Sequence, residues 1–243
     1  MSTEIPIRRI LVPKASSVLA AELRERILAR EIAEGTVLPT ERSLAEASGL
    51  SRASVREALR ILEVEGLIDT RIGRNGGSAA RRPTREAVVR SVNMFIRGQN
   101  ILFRSLLETR EAIEPACARF AALHRQQQDI DQLETLHARL EASYRDIPAF
   151  LDVNLQWHLA VVHASHNELL IAFMLAISDA VHAGTDLANF NSDEVRTAVI
   201  RAHGRITDAI REGDGDAAAR RMGRHVSAYA EQVRRRPMAM EAE

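Results

Sequence analysis

The sequence predicts a mainly α-helical protein in which three helices and a small two-stranded hairpin precede an all-helical bundle. Two observations lead to this fold class. Ala, Leu and Arg dominate a chain in which only 4% of the residues are aromatic, a composition that favours helix. A pattern of short strands occurs only in residues 67–82, and after this stretch the apolar residues recur at helical spacing.

The overall composition is that of an ordinary globular protein. The chain has 243 residues, of which 46% are hydrophobic and 27% charged, so it can form two domains with cores of their own. The single cysteine, Cys117, excludes an internal disulfide framework and fits a reducing cytoplasm. The longest apolar stretch, 169–177, has about half the length of a membrane span. We therefore expect a cytoplasmic protein without a membrane segment or signal peptide.

The charge distribution and one basic segment divide the chain. Residues 1–85 contain 15 Lys+Arg and 11 Asp+Glu, whereas the remainder contains 18 and 22, an asymmetry that fits a nucleic-acid-binding N-terminal part. The segment ARRPTRE, residues 80–86, holds three arginines and a proline. These features predict an N-terminal domain over 13–81, a linker over 82–86 and a helical domain over 87–236.

The N-terminal domain shows three helix signals followed by a hairpin signal. A first helix begins at Ser16 or Ser17 and is expected to stop at Gly35, a second ends at Gly49, and a third ends at Gly66. The stretches LIDTR and AAR read as strands around the glycine-rich turn IGRNGGS. Helices joined by a tight turn and followed by a hairpin are typical of a winged helix-turn-helix.

Polar residues of this domain are candidates for contacts with DNA. Val55, Leu59 and Leu62 recur at helical spacing and should face the core, which leaves other faces of the third helix to polar residues. Arginines near the start of a recognition helix can reach guanine edges or phosphates, and hydroxyls at helix N-termini accompany free N–H groups that bind phosphate. The candidates are Thr40, Ser51, Arg52, Ser54 and Arg56, together with Gly73 and Arg74 of the glycine-rich turn.

A different interpretation of the same residues remains open. The arginines can form a solvated helix face, with Arg56 pairing to nearby glutamates, and Ser51 serves as a helix N-cap in either case. The combination of turn, arginines and glycine-rich hairpin is more specific than any of its parts.

The N-terminal motifs resemble the signature of the GntR family of bacterial regulators. The resemblance runs through LPTERSLAEASGLSRASVREALRILEVEGLI and the following GRNGG, and it covers roughly residues 13–81. It implies that the Arg of the P-[ST]-E-R motif and both Arg of the S-R-x-[ST]-V-R motif contact operator DNA. In this sequence those positions are Arg42, Arg52 and Arg56, with Ser51 and Ser54 as hydroxyl partners and Gly73 as the wing glycine.

The C-terminal part reads as helices throughout. The predicted segments are 86–98, 100–126, 129–145, 148–165, 167–188, 192–212 and 215–235. The stretches LLETREAIEPACARFAA, NLQWHLAVVHASHNELL and RAHGRITDAIREGDGDAAARRMGRHV resemble the FCD domain of the FadR-like branch of GntR regulators. This resemblance implies an all-α bundle of the FCD type that binds an effector.

Histidine spacing alone suggests a metal site in this bundle. His203 and His225 each lie 11 positions from Asp214, so an antiparallel helical hairpin turning at Asp214 brings them to the same level. Asn154 and His158 form an i, i+4 pair on one helical face. One amide oxygen and three imidazoles suit a divalent transition metal, zinc or similar, with positions left for water or a ligand. The alternative is that these are ordinary polar residues on surface faces.

The family resemblance strengthens this hypothesis and adds an effector contact. Metal-binding FCD domains carry Asp or Asn, a His four residues later, and two further His at these places, which implies Asn154, His158, His203 and His225 as ligands. Asp is the commoner first residue, and the neutral amide of Asn154 should weaken metal binding but favour an anionic effector. Arg110 matches a family arginine that points into the ligand cavity, and an intrahelical pair with Glu114 is the alternative.

Together these features predict a regulator rather than an enzyme. We expect a sequence-specific DNA-binding transcriptional regulator, by the family's usual mode a repressor, controlled by a small carboxylate effector. Two DNA-binding heads on adjacent half-sites imply a homodimer on double-stranded operator DNA. A metal-dependent hydrolase or lyase is disfavoured because the sequence contains no HExxH, GxSxG or phosphate-binding glycine loop. An interaction adaptor would not need the arginine-bearing helix and the glycine-rich wing.

Overall fold

The chain forms two compact units. The computed structural model describes residues 13–71, 77–185 and 192–234. The described residues up to Ala87 form the first unit, and those from Val88 onwards form the second. Within the described ranges, no helix is both long enough and apolar enough to cross a bilayer.

The N-terminal unit consists of three helices and a two-stranded antiparallel sheet, as the sequence predicts. Ile68 lies opposite Ala80 in the sheet, and Arg71 lies opposite Gly77. The core is formed where α1 packs on α3, with Leu19, Leu23, Val55 and Leu62 all buried. The elements are α1 (Ala15–Leu28), α2 (Glu41–Ser48), α3 (Arg52–Val64), β1 (Ile68–Arg71) and β2 (Gly77–Ala80).

Helix α1 ends earlier than expected, and the prediction of a stop at Gly35 is wrong. The helix ends at Leu28, and Arg30 follows with a positive φ of 66°. The Ile32 N–H donates to the carbonyl of Arg26 at 3.1 Å, so the chain reverses there and Ile32 packs against the core from a turn. An apolar residue at helical spacing can thus pack against the core without belonging to the helix.

The segment after this reversal adds a strand-like partner to the sheet, which the sequence analysis missed. The Gly35 N–H donates to the carbonyl of Ala80, and the Leu38 N–H donates to that of Ser78, both at 2.8 Å. Val37 forms an antiparallel bridge with Ala79. Backbone hydrogen bonds therefore join β2 of the hairpin to the segment that follows α1.

The regular elements of the C-terminal unit are all helices in the described part of the chain. The predicted segments agree with the helices to within about three residues, apart from the predicted end at 188, which lies outside the described residues. Helix α4 begins inside the predicted linker. The helices are α4 (Arg85–Gly98), α5 (Phe103–His124), α6 (Gln127–Ala142), α7 (Ile147–Ala164), α8 (Glu168–Gly184), α9 (Asp193–Glu212) and α10 (Gly215–Arg234).

A short turn between α9 and α10 positions the polar centre of this unit. Gly213 ends α9 with a φ of 80°, in the left-handed region that favours glycine. The Asp214 carboxylate accepts a hydrogen bond from the Ala217 N–H at 2.9 Å and so fixes the start of α10. Since α9 and α10 pack antiparallel from this turn, His203 and His225 come to the same level, as their equal spacing from Asp214 predicts.

Candidate metal centre and DNA-binding surface

Three helices bring three histidine side chains together in the C-terminal unit. His158 lies on α7, His203 on α9 and His225 on α10. The Nε2 atoms of His203 and His225 are 3.1 Å apart, and those of His225 and His158 are 3.3 Å apart. One potential ligand atom from each residue lies within 4.8 Å of those of the other two. The structure thus brings together the three histidines that the sequence analysis named as ligands.

The spacing of these nitrogens is suited to a metal ion. Unprotonated imidazole nitrogens at such separations face each other with their lone pairs. A metal bound at about 2.0–2.1 Å from each nitrogen holds neighbouring ligand nitrogens about 3.0–3.4 Å apart, which matches the two short separations. The three imidazoles therefore form a donor set that can hold a divalent ion.

The histidines are also in the protonation state that metal binding requires. Burial, together with the neighbouring His158, lowers the pKa of His225 to about 3. Burial lowers the pKa of His203 well below its usual value, with the nearby histidines acting in the same direction. The pKa of His158 is lowered by burial as well, although Glu114 opposes this. All three imidazoles are thus neutral near pH 7, and only neutral imidazole is a ligand.

A buried carboxylate fixes the orientation of one of these rings. Nδ1 of His158 lies 2.5 Å from Oε2 of Glu114, whose side chain is 1% exposed. Burial would raise the pKa of Glu114, but the positive charge of Arg110 and the hydrogen bonds that Arg110 and His158 donate outweigh it and hold this pKa well below its usual range. A carboxylate only accepts hydrogen bonds, so the Nδ1–H of His158 donates and its Nε2 lone pair is left for a metal.

Sequence analysis assigned Glu114 only to an ion pair with Arg110 and missed this role. The available signal was its helical phase. Glu114 follows the buried Leu107 by seven residues and precedes the buried Cys117 by three, so it lies on the buried face of α5. A carboxylate in that position needs buried partners, and Arg110 and His158 supply them.

Asn154 lies one helical turn before His158 and, like it, lines a cavity beside the histidines. Its Oδ1 atom is buried and has no hydrogen-bond partner among the described residues. A buried acceptor without a partner is costly. This orphaned oxygen is free to contact a bound ion or ligand, and Asn154 stays the predicted fourth ligand beside the three imidazoles.

The indole of Trp157 forms one wall of the centre, a feature that sequence analysis did not identify. It stacks on the ring of His203 with the centroids 3.6 Å apart and the planes at 11°. Both side chains are fully buried. The stacking restricts rotation of the His203 ring and keeps water from that face.

A cavity of about 340 Å³ opens beside the histidines. Arg110 reaches it from α5 with 13% of its side chain exposed, and it also pairs with Glu114. The cavity contact and the intrahelical pair, which were alternatives in the sequence, therefore occur together. Among the residues that line the cavity are Arg110, Asn154, His158, Val199, His225 and Tyr229.

In the N-terminal unit, the predicted hydroxyls cap the two helices of the helix-turn-helix. The Thr40 hydroxyl accepts a hydrogen bond from the Ser43 N–H at 3.2 Å, and the Ser51 hydroxyl accepts one from the Ser54 N–H at 3.1 Å. Between the helices Gly49 adopts a φ of 68°, which lets the chain turn sharply. The caps hold the N-termini of α2 and α3 in a form that can receive a phosphate.

The arginines of this surface are exposed, and two of them pair with glutamates. Arg42 pairs with Glu46 at 2.8 Å, and Arg56 pairs with Glu41 at 2.9 Å, the arrangement raised as the alternative for Arg56. Such solvent-exposed pairs are weak, so a DNA phosphate can compete with the glutamate. Arg52 is exposed at the first turn of α3, while the predicted Gly73 and Arg74 lie outside the described residues.

Comparison with known protein families gives two matches in one chain. The sequence pattern described as "Bacterial regulatory proteins, gntR family" matches residues 15–76, and that of the FCD domain matches residues 105–228. The first match covers the helix-turn-helix, and the second contains Arg110 and all three histidines of the cluster.

Similar proteins are transcription regulators. The galactonate operon transcriptional repressor of Escherichia coli (strain K12) is 29% identical over 199 residues, which are 81% of this chain and 86% of that protein. The Exu regulon transcriptional regulator of the same organism is 35% identical over 158 residues, 64% of this chain and 58% of that protein. A solved structure of Streptococcus agalactiae GntR has a TM-score of 0.68 and 25% identity, covering 89% of this chain and 99% of its own.

Proposed function

The chain belongs to the gntR family of bacterial regulatory proteins with an FCD domain, and on this premise we propose that it is a repressor controlled by a small organic acid. Like its homologues, it is a DNA-binding transcriptional regulator and not an enzyme. The acid binds in the cavity of the C-terminal unit, beside a divalent transition metal such as zinc. The regulator acts as a homodimer on double-stranded operator DNA in the cytoplasm.

The convergence of three neutral imidazoles on one point carries this proposal. His158, His203 and His225 offer nitrogens at ligand spacing, and the unpartnered oxygen of Asn154 supplies a fourth donor. When bound, the metal provides a positive centre with open positions for an anionic group. The role of the chain is to orient the rings through Glu114 and Trp157 and to shape the cavity.

An acid is favoured as the effector because the donor set carries no negative charge. Three imidazoles and one amide leave the charge of a divalent ion uncompensated. The Glu114 carboxylate contacts His158, but its charge is offset by Arg110. The name of one relative, the galactonate operon repressor, refers to a sugar acid, which is consistent with a carboxylate effector here.

Operator contacts are proposed for the N-terminal residues named from the sequence. Arg42, Arg52 and Arg56 are exposed near the starts of α2 and α3, where arginine can contact base edges and phosphates. The hydroxyls of Thr40, Ser51 and Ser54 lie at the same helix ends, and Gly73 and Arg74 are assigned to the wing. Two such heads in a homodimer would read adjacent half-sites.

Effector binding alters operator affinity only if it differs between the DNA-competent and released arrangements. We assign the transmission of this difference to the predicted linker, residues 82–86, and to helix α4, which begins within it at Arg85. A continuous helix that starts in the linker can convey a shift as a rigid element.

Two measurements test the proposed function. Wild-type protein purified without a His tag should contain about one divalent metal per chain, and the His203→Ala/His225→Ala variant should contain almost none. The wild type should also retard DNA from upstream of its own coding region in a gel shift. Arg52→Ala should weaken this shift, whereas Arg26→Ala, which removes an exposed arginine of α1, should leave it intact. Equal metal contents, or equal shifts for both arginine variants, would overturn the assignment.

A further inference from the structure

A second group of positive side chains lines the same cavity away from Arg110. These are Arg205 on α9 and Arg221 and Arg224 on α10. Arg205 and Arg224 are exposed, and Arg221 is half-buried. None of them was singled out in the sequence, because arginines on a polar helix face look like ordinary surface residues.

These arginines lack the compensation that Arg110 has. Arg110 pairs with the buried Glu114, whereas Arg221 donates to the backbone carbonyl of Arg205 and pairs with no carboxylate of a described residue. Arg205 and Arg224 likewise have no ion-pair partner in the described part of the chain. No Asp or Glu is among the described residues that line this cavity. The arginine group therefore carries a surplus of positive charge.

Arg221, one member of the arginine group, lies one helical turn away from the histidines. Arg221 precedes His225 by one turn of α10, a rise of about 6 Å. The Arg221–Arg205 hydrogen bond ties the two helices together at that level. Apolar side chains of Val195, Val199 and Val226 also line the cavity. The cavity thus combines two positive regions with an apolar wall.

We propose that the effector is a small organic acid with two anionic groups. One group binds at the histidine centre and Arg110, and the second binds the arginine group formed by Arg205, Arg221 and Arg224. A short carbon chain between them packs on the valines. Dicarboxylates and phosphorylated carboxylic acids share this chemistry. The inference rests on the proposed function and specifies the ligand class of the same site.

The physical basis is the attraction that a second anionic group gains from the arginine group. A monoanion held at the histidine end gains nothing from the arginine group. A second anion forms charge-assisted hydrogen bonds with guanidinium groups. A neutral hydroxyl or amide at that end forms weaker bonds and leaves the charge uncompensated.

Isothermal titration of the zinc-loaded full chain tests this with matched pairs of acids. Glutarate is compared with its monoamide, and 3-phosphoglycerate with glycerate. Arg205→Gln/Arg224→Gln removes two charges that have no described partner, so the fold is not expected to depend on them. Arg220→Gln is the control, because Arg220 is exposed on α10 but is not part of the cavity lining.

The expected result is that at least one acid with two anionic groups binds about tenfold or more tightly than its matched partner with one anionic group, as one charge-assisted hydrogen bond provides. The double variant should lose this preference while binding the monoanion as before, and the control should keep it. Which pair shows the preference distinguishes a dicarboxylate from a phosphorylated acid. Equal binding within both pairs, or a preference that survives in the double variant, overturns the inference. If no acid binds, the proposed organic-acid effector itself is wrong.

Discussion

The carboxylate of Glu114 lies 2.5 Å from Nδ1 of His158, and both side chains are buried in the centre of the C-terminal unit. The contact links α5 to α7 and decides which nitrogen of His158 is available to a metal. Because Glu114 also pairs with Arg110, one carboxylate connects the metal centre to a proposed effector contact.

Replacing Glu114 with glutamine should weaken metal binding. The amide keeps the size of the side chain but loses the charge that holds the Nδ1–H of His158. We expect zinc affinity to fall about 10- to 100-fold, as is typical when such a supporting partner is lost. Competition with a chromophoric chelator measures this. The matched control is Glu111→Gln, one turn away, where Glu111 pairs with Arg234. Equal losses in both variants would refute the role of Glu114.

Replacing Asn154 with aspartate should change metal and effector binding in opposite directions. The carboxylate adds a negative charge beside the imidazoles, so zinc should bind several-fold more tightly. The same charge repels an organic acid, so acid affinity should decrease. Calorimetric titration of both ligands checks this. A variant in which both affinities rise would contradict the charge argument.

The metal-free protein should lose stability in acid because the folded chain holds His225 in its neutral form. The folded-state pKa of His225 is about 3 and its ordinary value is 6.5, so between these values the unfolded chain binds a proton that the folded chain does not. The free energy of unfolding should therefore fall as the pH decreases from 6.5 towards 3. Urea unfolding at several pH values gives this slope.

The matched variant for the acid experiment is His225→Ala, which should show a shallower decrease. Parallel curves for the wild type and His225→Ala would show that His225 does not contribute.

Arginine substitutions on the recognition helix should weaken operator binding without unfolding the protein. Arg52→Ala and Arg56→Ala should each reduce affinity by about 5- to 150-fold, the usual range for a specific base contact. Arg56 must break its ion pair with Glu41 to contact DNA. Glu41→Gln removes this competing charge and should therefore tighten operator binding. Fluorescence anisotropy measures each affinity, and circular dichroism checks the fold. Wild-type affinity in both arginine variants would mean that α3 does not read the operator.

Much of the fold could be predicted because local signals and packing agree. The caps at Thr40 and Ser51 and the turn at Gly49 depend only on residues that are close in sequence. The reversal at Arg30 was missed because Ile32 keeps helical spacing although it packs against the core from a turn. The pairing of Gly35 and Leu38 with the hairpin depends on contacts distant in sequence, which no local pattern encodes.

In the candidate site, too, some features follow from local sequence and others depend on contacts between residues distant in sequence. The equal sequence separation of His203 and His225 from Asp214 predicted that they meet, since residues equally far from the turn of an antiparallel helical hairpin lie side by side. The contact of His158 with Glu114 and the stacking of Trp157 on His203 depend on how separate helices pack. Residues such as Glu114 acquire their roles from neighbours that are far away in the chain.

The most direct test of the account is an operator-release titration by fluorescence anisotropy. An organic acid that stabilises the zinc-loaded protein in a thermal-shift screen is added to the protein–operator complex. We expect the acid to release DNA from the zinc-loaded wild type. It should have little effect on the chelated wild type or on the His203→Ala/His225→Ala variant, although both proteins should still bind DNA. Release that persists without metal and without these histidines would contradict the account.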